Sequence, residues 1–208
     1  MKTMLVLSMG ALLLAGTLSA QTPVPEWQAG VDKVKTLIQS NPAQASEEAG
    51  ELLKGKNKKN VDLVTSVAHV YLDAGKITEA QEYLAMAKKA NNKDPKVSVL
   101  EGDIALAQKN IGQACQLYEQ AIYFDPNCKE AYLKYAQAYK SASPTQAIEK
   151  LEQLKAVDPN CLEADRELAE VYYSGNRFGK AVEMYTKFID TPLATEDDML
   201  KYAFALFL

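Results

Sequence analysis

The chain has a single histidine, His69, and its three cysteines, Cys115, Cys128 and Cys161, form no C-x-x-C pair. A zinc site therefore has no ligand set. The ten glycines are dispersed and build no phosphate-cradling loop. No metal and no cofactor is expected. No stretch alternates at period two for long enough to suggest a sheet. The formal charge is −4, becoming −5 without Lys2, so the basic footprint of a general nucleic-acid binder is missing.

Long apolar runs are scarce as well. The one that stands out, Met4 to Gly16, is shorter than the roughly 18 to 20 residues of a spanning helix. Lys2 precedes it and Leu18-Ser19-Ala20 follows it, which reads as a signal peptide of residues 1–20 cleaved before Gln21. No cysteine follows the run, against a lipoprotein signal. The expectation is an exported protein with no stable membrane insertion after cleavage.

What the chain does have is a column of small residues. Ala80, Ala114, Ala147 and Ala181 lie 34, 33 and 34 apart. Ala68, Gly102, Ala136, Ala169 and Ala203 keep step, as do Tyr71, Ala105, Tyr139, Tyr172 and Leu206. Leu84, Tyr118, Leu151 and Tyr185 do so in the second half of each unit. One residue is lost near Ser143-Pro144, where a tighter turn is expected. Gly102 and Ala105 share one helix face; Ala114, Tyr118 and Ala121 share another. Small residues let two helices approach, so Gly102 and Ala114 mark a crossing that Tyr118 fills. Asp125-Pro126-Asn127 and Asp158-Pro159-Asn160 end units.

Small residue, aromatic, alanine, aromatic, alanine and proline at this spacing resemble the tetratricopeptide repeat family. The resemblance runs over residues 61–208 and implies an all-α fold, a right-handed superhelical solenoid of antiparallel helix pairs. It divides the chain into a divergent N-terminal unit at 21–60, repeats at 61–94, 95–128, 129–161 and 162–195, and the first helix of a further repeat at 196–208. The intra-hairpin glycine survives only as Gly75, with Lys109 and Asn176 in later units. Helix caps are expected at Asn41-Pro42 with Gln44, Thr78 with Gln81, Ser143-Pro144, and Thr195 ahead of Glu196, Asp197 and Asp198.

In this family the first helices line a concave groove. The corresponding positions are Thr65, Ser66, His69 and Leu72, then Lys96, Val99, Leu100 and Asp103, then Leu133, Lys134, Gln137 and Lys140, then Arg166, Glu170 and Tyr173. The mixture of aliphatic and charged side chains suits an extended peptide or a partner helix. The family's carboxylate clamp for chaperone tails maps onto Thr65, His69, Leu100, Glu130 and Lys134, and only Lys134 matches. Chaperone-tail binding is not expected.

Other readings stay beside this one. A nucleophilic pair of His69 and Cys115 is the remote enzymatic alternative. Equivalent positions in stacked repeats are about 10 Å apart, beyond a disulfide's reach, so Cys128 and Cys161 are expected as free thiols. Lys54, Lys56, Lys58 and Lys59 read as a solvated linker, or as a contact for lipid headgroups or an acidic partner. The last helix would expose Phe204, Phe207 and Leu208, so further repeats or self-association are expected there. Signal and composition resemble periplasmic repeat proteins of Gram-negative bacteria, the Bacteroidota in particular. The function expected is a non-enzymatic interaction scaffold of the cell envelope, periplasmic or outer-envelope-associated. The alternative is a sensory or adaptor segment of a larger envelope protein.

Overall fold

A computed structural model describes residues 24–208; the expected signal peptide, residues 1–20, lies outside them. The described residues form eleven α-helices, one 3-10 helix and no strand. The helices are α1 (Gln28–Ser40), α2 (Pro42–Leu52), α3 (Val61–Asp73), α4 (Ile77–Asn91), α5 (Pro95–Ala107) and α6 (Ile111–Phe124), then α7 (Lys129–Tyr139), α8 (Pro144–Val157), α9 (Leu162–Ser174), α10 (Phe178–Phe188) and α11 (Glu196–Phe207). The 3-10 helix, Gly55–Lys59, packs on α3 and α4.

Each odd-numbered helix through α9 pairs with the helix after it, and α1, α3, α5, α7 and α9 also touch in succession. This is a solenoid of stacked hairpins whose first helices form one continuous side. Three apolar clusters run along the stack. The repeated alanines are the contact points: Ala80, Ala114, Ala147 and Ala181 are all fully buried.

The crossing of α5 and α6 shows why glycine is needed there. A Cβ added to Gly102 would lie 2.5 Å from Cε1 of Tyr118, a ring that is itself fully buried. The tyrosine occupies the space the missing side chain leaves. Tertiary packing decides this glycine, since α5 otherwise carries helix-compatible residues throughout.

Three of the five turns inside the hairpins follow one pattern, from which the α1–α2 and α7–α8 turns depart. Gly75, Lys109 and Asn176 take positive φ of 74°, 65° and 57°. The next amide then reaches back to the helix end, as in Lys76 N–H to Tyr71 O at 2.8 Å and Asn110 N–H to Ala105 O at 2.9 Å. The α7–α8 turn belongs to the unit that is one residue short. It has no such left-handed residue, and Ser143 N–H bonds Tyr139 O at 2.7 Å instead.

Side-chain caps start five of the eleven α-helices. Asn41, Asn60, Asp94, Asn110 and Thr195 each accept a first-turn amide, and Pro42, Pro95 and Pro144 sit at the first position. Thr195 and Asp198 form a full capping box. Two expected caps are corrected. Thr78 lies inside α4, because the tight turn starts that helix at Ile77, and Ser143 makes no side-chain cap bond.

The last helix, α11, buries Ala205 and Asp198 and leaves Phe204, Phe207 and Leu208 at 52%, 88% and 65% exposure. All three cysteines are free thiols.

Two substitutions probe this framework by urea unfolding. Gly102→Ala is expected to destabilise by about 1–3 kcal/mol through collision with Tyr118. Lys109→Gly, which relieves a left-handed lysine, is expected to stabilise by up to about 1 kcal/mol. An unchanged Gly102→Ala midpoint would show that α5 and α6 do not cross this closely.

Candidate functional site: a polar groove along the first helices

The groove side of the first helices opens into two adjoining cavities. One, of about 380 Å³, is lined by Pro25 and Trp27 before α1, by Asp62, Thr65, Ser66 and His69 on α3, by Lys96 and Val99 on α5, and by Glu130 on α7. The second, of about 320 Å³, begins at the far side of His69 and takes in Leu72, Asp103, Leu106 and Lys134. Periodicity places these residues together, since equivalent helices put their groove positions side by side.

Asp103 is the polar centre of the groove. It is 8% exposed and accepts from His69 Nε2 at 3.0 Å, Lys134 Nζ at 3.0 Å and Tyr118 OH at 2.7 Å. Its partners come from α3, α7 and α6, so one carboxylate ties three hairpins together. His69 Nδ1 donates to Thr65 O at 2.9 Å. Both ring nitrogens therefore face acceptors, an arrangement that serves the imidazolium best. Burial opposes that charge, yet the Asp103 hydrogen bond and charge outweigh it and raise the His69 pKa. Burial likewise works against the Asp103 carboxylate, and His69, Lys134 and Tyr118 together hold its pKa below the ordinary value.

Further pairs bridge first helices along the groove. Lys96 meets Asp62 at 2.5 Å, Lys129 meets Glu163 at 2.8 Å, and Gln137 donates to Glu167 at 2.7 Å. Arg166 reaches Asp198 at 3.1 Å, and Lys201 reaches Glu170 at 2.9 Å. Glu130 takes no part in these pairs, although its charge is felt at Lys96 and His69.

Several expected groove residues sit elsewhere. Leu100 is fully buried in the core, and Val99 and Thr65 are nearly so, showing only an edge to the first cavity. The reason is that α5 is enclosed by α3, α4, α6 and α7, so the helix has almost no free face. Leu133 packs into the core cluster of the later repeats. Tyr173 stacks edge-on with Phe178 at 5.6 Å and Phe204 at 6.4 Å. Lys140 stands at the α7–α8 turn, away from both cavities. Ser66, His69, Leu72, Lys96, Asp103 and Lys134 do come together.

Sequence reasoning missed Trp27 and Pro25 as cavity walls, and it placed Asp103 in the groove without finding the partners that bury its charge. Its signal was the column His69, Asp103, Gln137, Glu170, polar at every turn of the repeat. The pair His69 and Cys115 does not form a nucleophile: the ring is committed to Thr65 and Asp103, and burial pushes the Cys115 thiol up to about 11.

Stacked helical pairs with a concave first-helix face define an α-solenoid. The chain belongs to the tetratricopeptide repeat family, whose pattern matches residues 68–128 and 137–192, more than half of its length. No curated protein matches the chain. Its fold is similar to that of a thermophilic tetratricopeptide protein of Thermus thermophilus, with a TM-score of 0.66 and 20% identity over 87% of this chain and 99% of that one. It is also similar to pilF of Pseudomonas aeruginosa, with a TM-score of 0.65 and 18% identity over 86% and 82%. YrrB, described as having an unusual peptide-binding site, gives a TM-score of 0.54 and 17% identity over 86% and 91%.

The hub sets a pH window. The His69 contribution is fully present below its ordinary 6.5 and is lost as pH rises through the raised folded value. The Asp103 contribution is present above its ordinary 3.8 and is lost as pH falls through the lowered folded value. The melting temperature of the wild type should therefore fall relative to His69→Gln as pH rises above the ordinary 6.5, measured by differential scanning fluorimetry. Parallel profiles for the two proteins would mean that the ring is not charged at Asp103.

Proposed function

We propose that this chain is a non-enzymatic scaffold of the cell envelope that holds a peptide segment or partner helix along α3, α5 and α7. The observation that carries the reading is the pair of adjoining cavities on the groove side. Most polar groups there are already bonded to neighbouring repeats, which leaves a pre-organised surface with few groups to reorder on binding. Glu130 in the first cavity and Asp73 in the second are the charged wall groups outside those pairs, and Trp27 lines the same space as Glu130. A ligand with a basic side chain over Trp27 and Glu130, and small or apolar residues toward Leu72 and Leu106, fits this lining.

Affinity purification of the full chain from its native envelope tests the groove. Glu130→Lys and Ser66→Arg should each lower recovery of a co-purifying protein by about tenfold, with the circular dichroism melt unchanged. Equal recovery by both variants would remove the groove as the site.

Export is the other half of the reading. It rests on the order of basic start, short apolar run and small residues within 1–20. Intact-mass measurement of the native protein should find Gln21 as the first residue, and a mass that includes Met1 would overturn export by a cleaved signal.

A further inference from the structure

We propose that the outer side of the second hairpin is a separate docking site, one that takes an acidic peptide segment anchored by an apolar side chain. The segment Lys54–Asn60 is not a loose linker. Asn57 Nδ2 donates to Leu52 O at 2.9 Å, Asn60 caps α3, and the 3-10 turn between them packs on α3 and α4. This fixes Lys58 and Lys59 beside α4 instead of leaving them in solvent at random.

Between the turn and α4 lies an open cavity of about 360 Å³. Lys58 and Lys59 form one bank. Glu82 and Lys89 stand along the other, and Ala85, Met86 and Ala90 make the floor. The α4 residues are spaced by three and four, so they form one stripe of that helix. Of the nearby lysines, Lys54 pairs with Glu51 and Lys88 pairs with Glu101 at 2.6 Å, while Lys56 is in no such pair among the described residues. Lys58, Lys59 and Lys89 are in no such pair among the described residues, and the lining holds one carboxylate against three ammonium groups. In a chain of net charge −4 this is a local reversal of sign.

The two halves of the lining specify the occupant. The ammonium groups want carboxylates, while the floor offers methyl groups and an adaptable thioether to one aliphatic or aromatic side chain. A flat anionic bilayer fits less well, because Glu82 lies in the same lining and would face the anionic headgroups. Free phosphate would use the rim and leave the floor unused. An acidic segment with one apolar anchor uses both. The site draws on α4, a second helix, and shares no lining residue with the groove cavities. Both can then be filled at once, and the chain can join two partners.

Fluorescence anisotropy of the full chain tests this with a labelled twelve-residue peptide of aspartate and glutamate around one central leucine. The double variant Lys58→Glu, Lys59→Glu should weaken binding by about tenfold. Ala85→Gln, at an exposed helix position, fills the floor without changing charge and should weaken it by about threefold. A peptide with serine in place of the leucine should also lose about threefold, whereas Glu130→Lys in the groove should leave the affinity unchanged. Equal binding of the leucine and serine peptides would overturn the anchored-segment proposal. So would insensitivity to the lysine and Ala85 variants, or co-sedimentation with phosphatidylglycerol vesicles by a chain that ignores the peptide.

Discussion

The close approach of each second helix to its first, at a residue with little or no side chain, is the constraint on which this molecule depends. Gly102 meets the Tyr118 ring where a methyl group would collide with it, and fully buried alanines fill the corresponding positions in neighbouring hairpins. A larger residue would push the pair apart and shift the next hairpin with it. In a solenoid each unit is positioned only by its neighbours, so a local change in crossing propagates along the stack. The groove inherits its shape from these crossings.

Charge then fixes what packing leaves adjustable. Asp103 is buried among partners from α3, α6 and α7, and an uncompensated carboxylate there would be costly. A register slip that removed His69 or Lys134 would leave that charge exposed to an apolar environment. The same device recurs later in the chain: Asp165, 1% exposed, is held by Lys155 at 2.7 Å and Lys187 at 3.2 Å, and Asp198 is held by Arg166 and Thr195. Apolar stacking supplies most of the adhesion, and these buried acids make one stacking arrangement distinct from its neighbours.

This pairing also shapes what the surfaces offer. A groove full of free charges would attract many ligands weakly; here most of the charges are spent on neighbouring repeats. Glu130 and the Trp27 wall remain on one side, and the lysines beside α4 remain on the other. On the readings proposed above, the two surfaces take ligands of opposite charge, basic in the groove and acidic beside α4. Such opposition keeps one partner from occupying the other's place.

Much of the fold was legible in the residues. Small side chains at 33- and 34-residue intervals mean helical hairpins because only stacked copies of one unit need the same crossing residue at the same place. The crossing of Gly102 with Tyr118 and the position of the turn residues Gly75, Lys109 and Asn176 followed from the same register. The candidate groove was legible only in part. A helical pattern says which residues share a face, and it does not say how many neighbours cover that face. Leu100 and Val99 were read as groove residues, but α5 is enclosed on nearly every side, and burial is a property of the assembled stack. Asp103 was placed in the groove, but its buried pairing was not legible because its partners lie 15 to 34 residues away in sequence. Trp27 came to the groove through the placement of α1 against α3. The sequence by itself determined the unit, its length and its turns, since these depend on contacts within about one repeat. Only the tertiary structure decided which side chains stay exposed and which charges are spent, because both depend on the hairpins before and after.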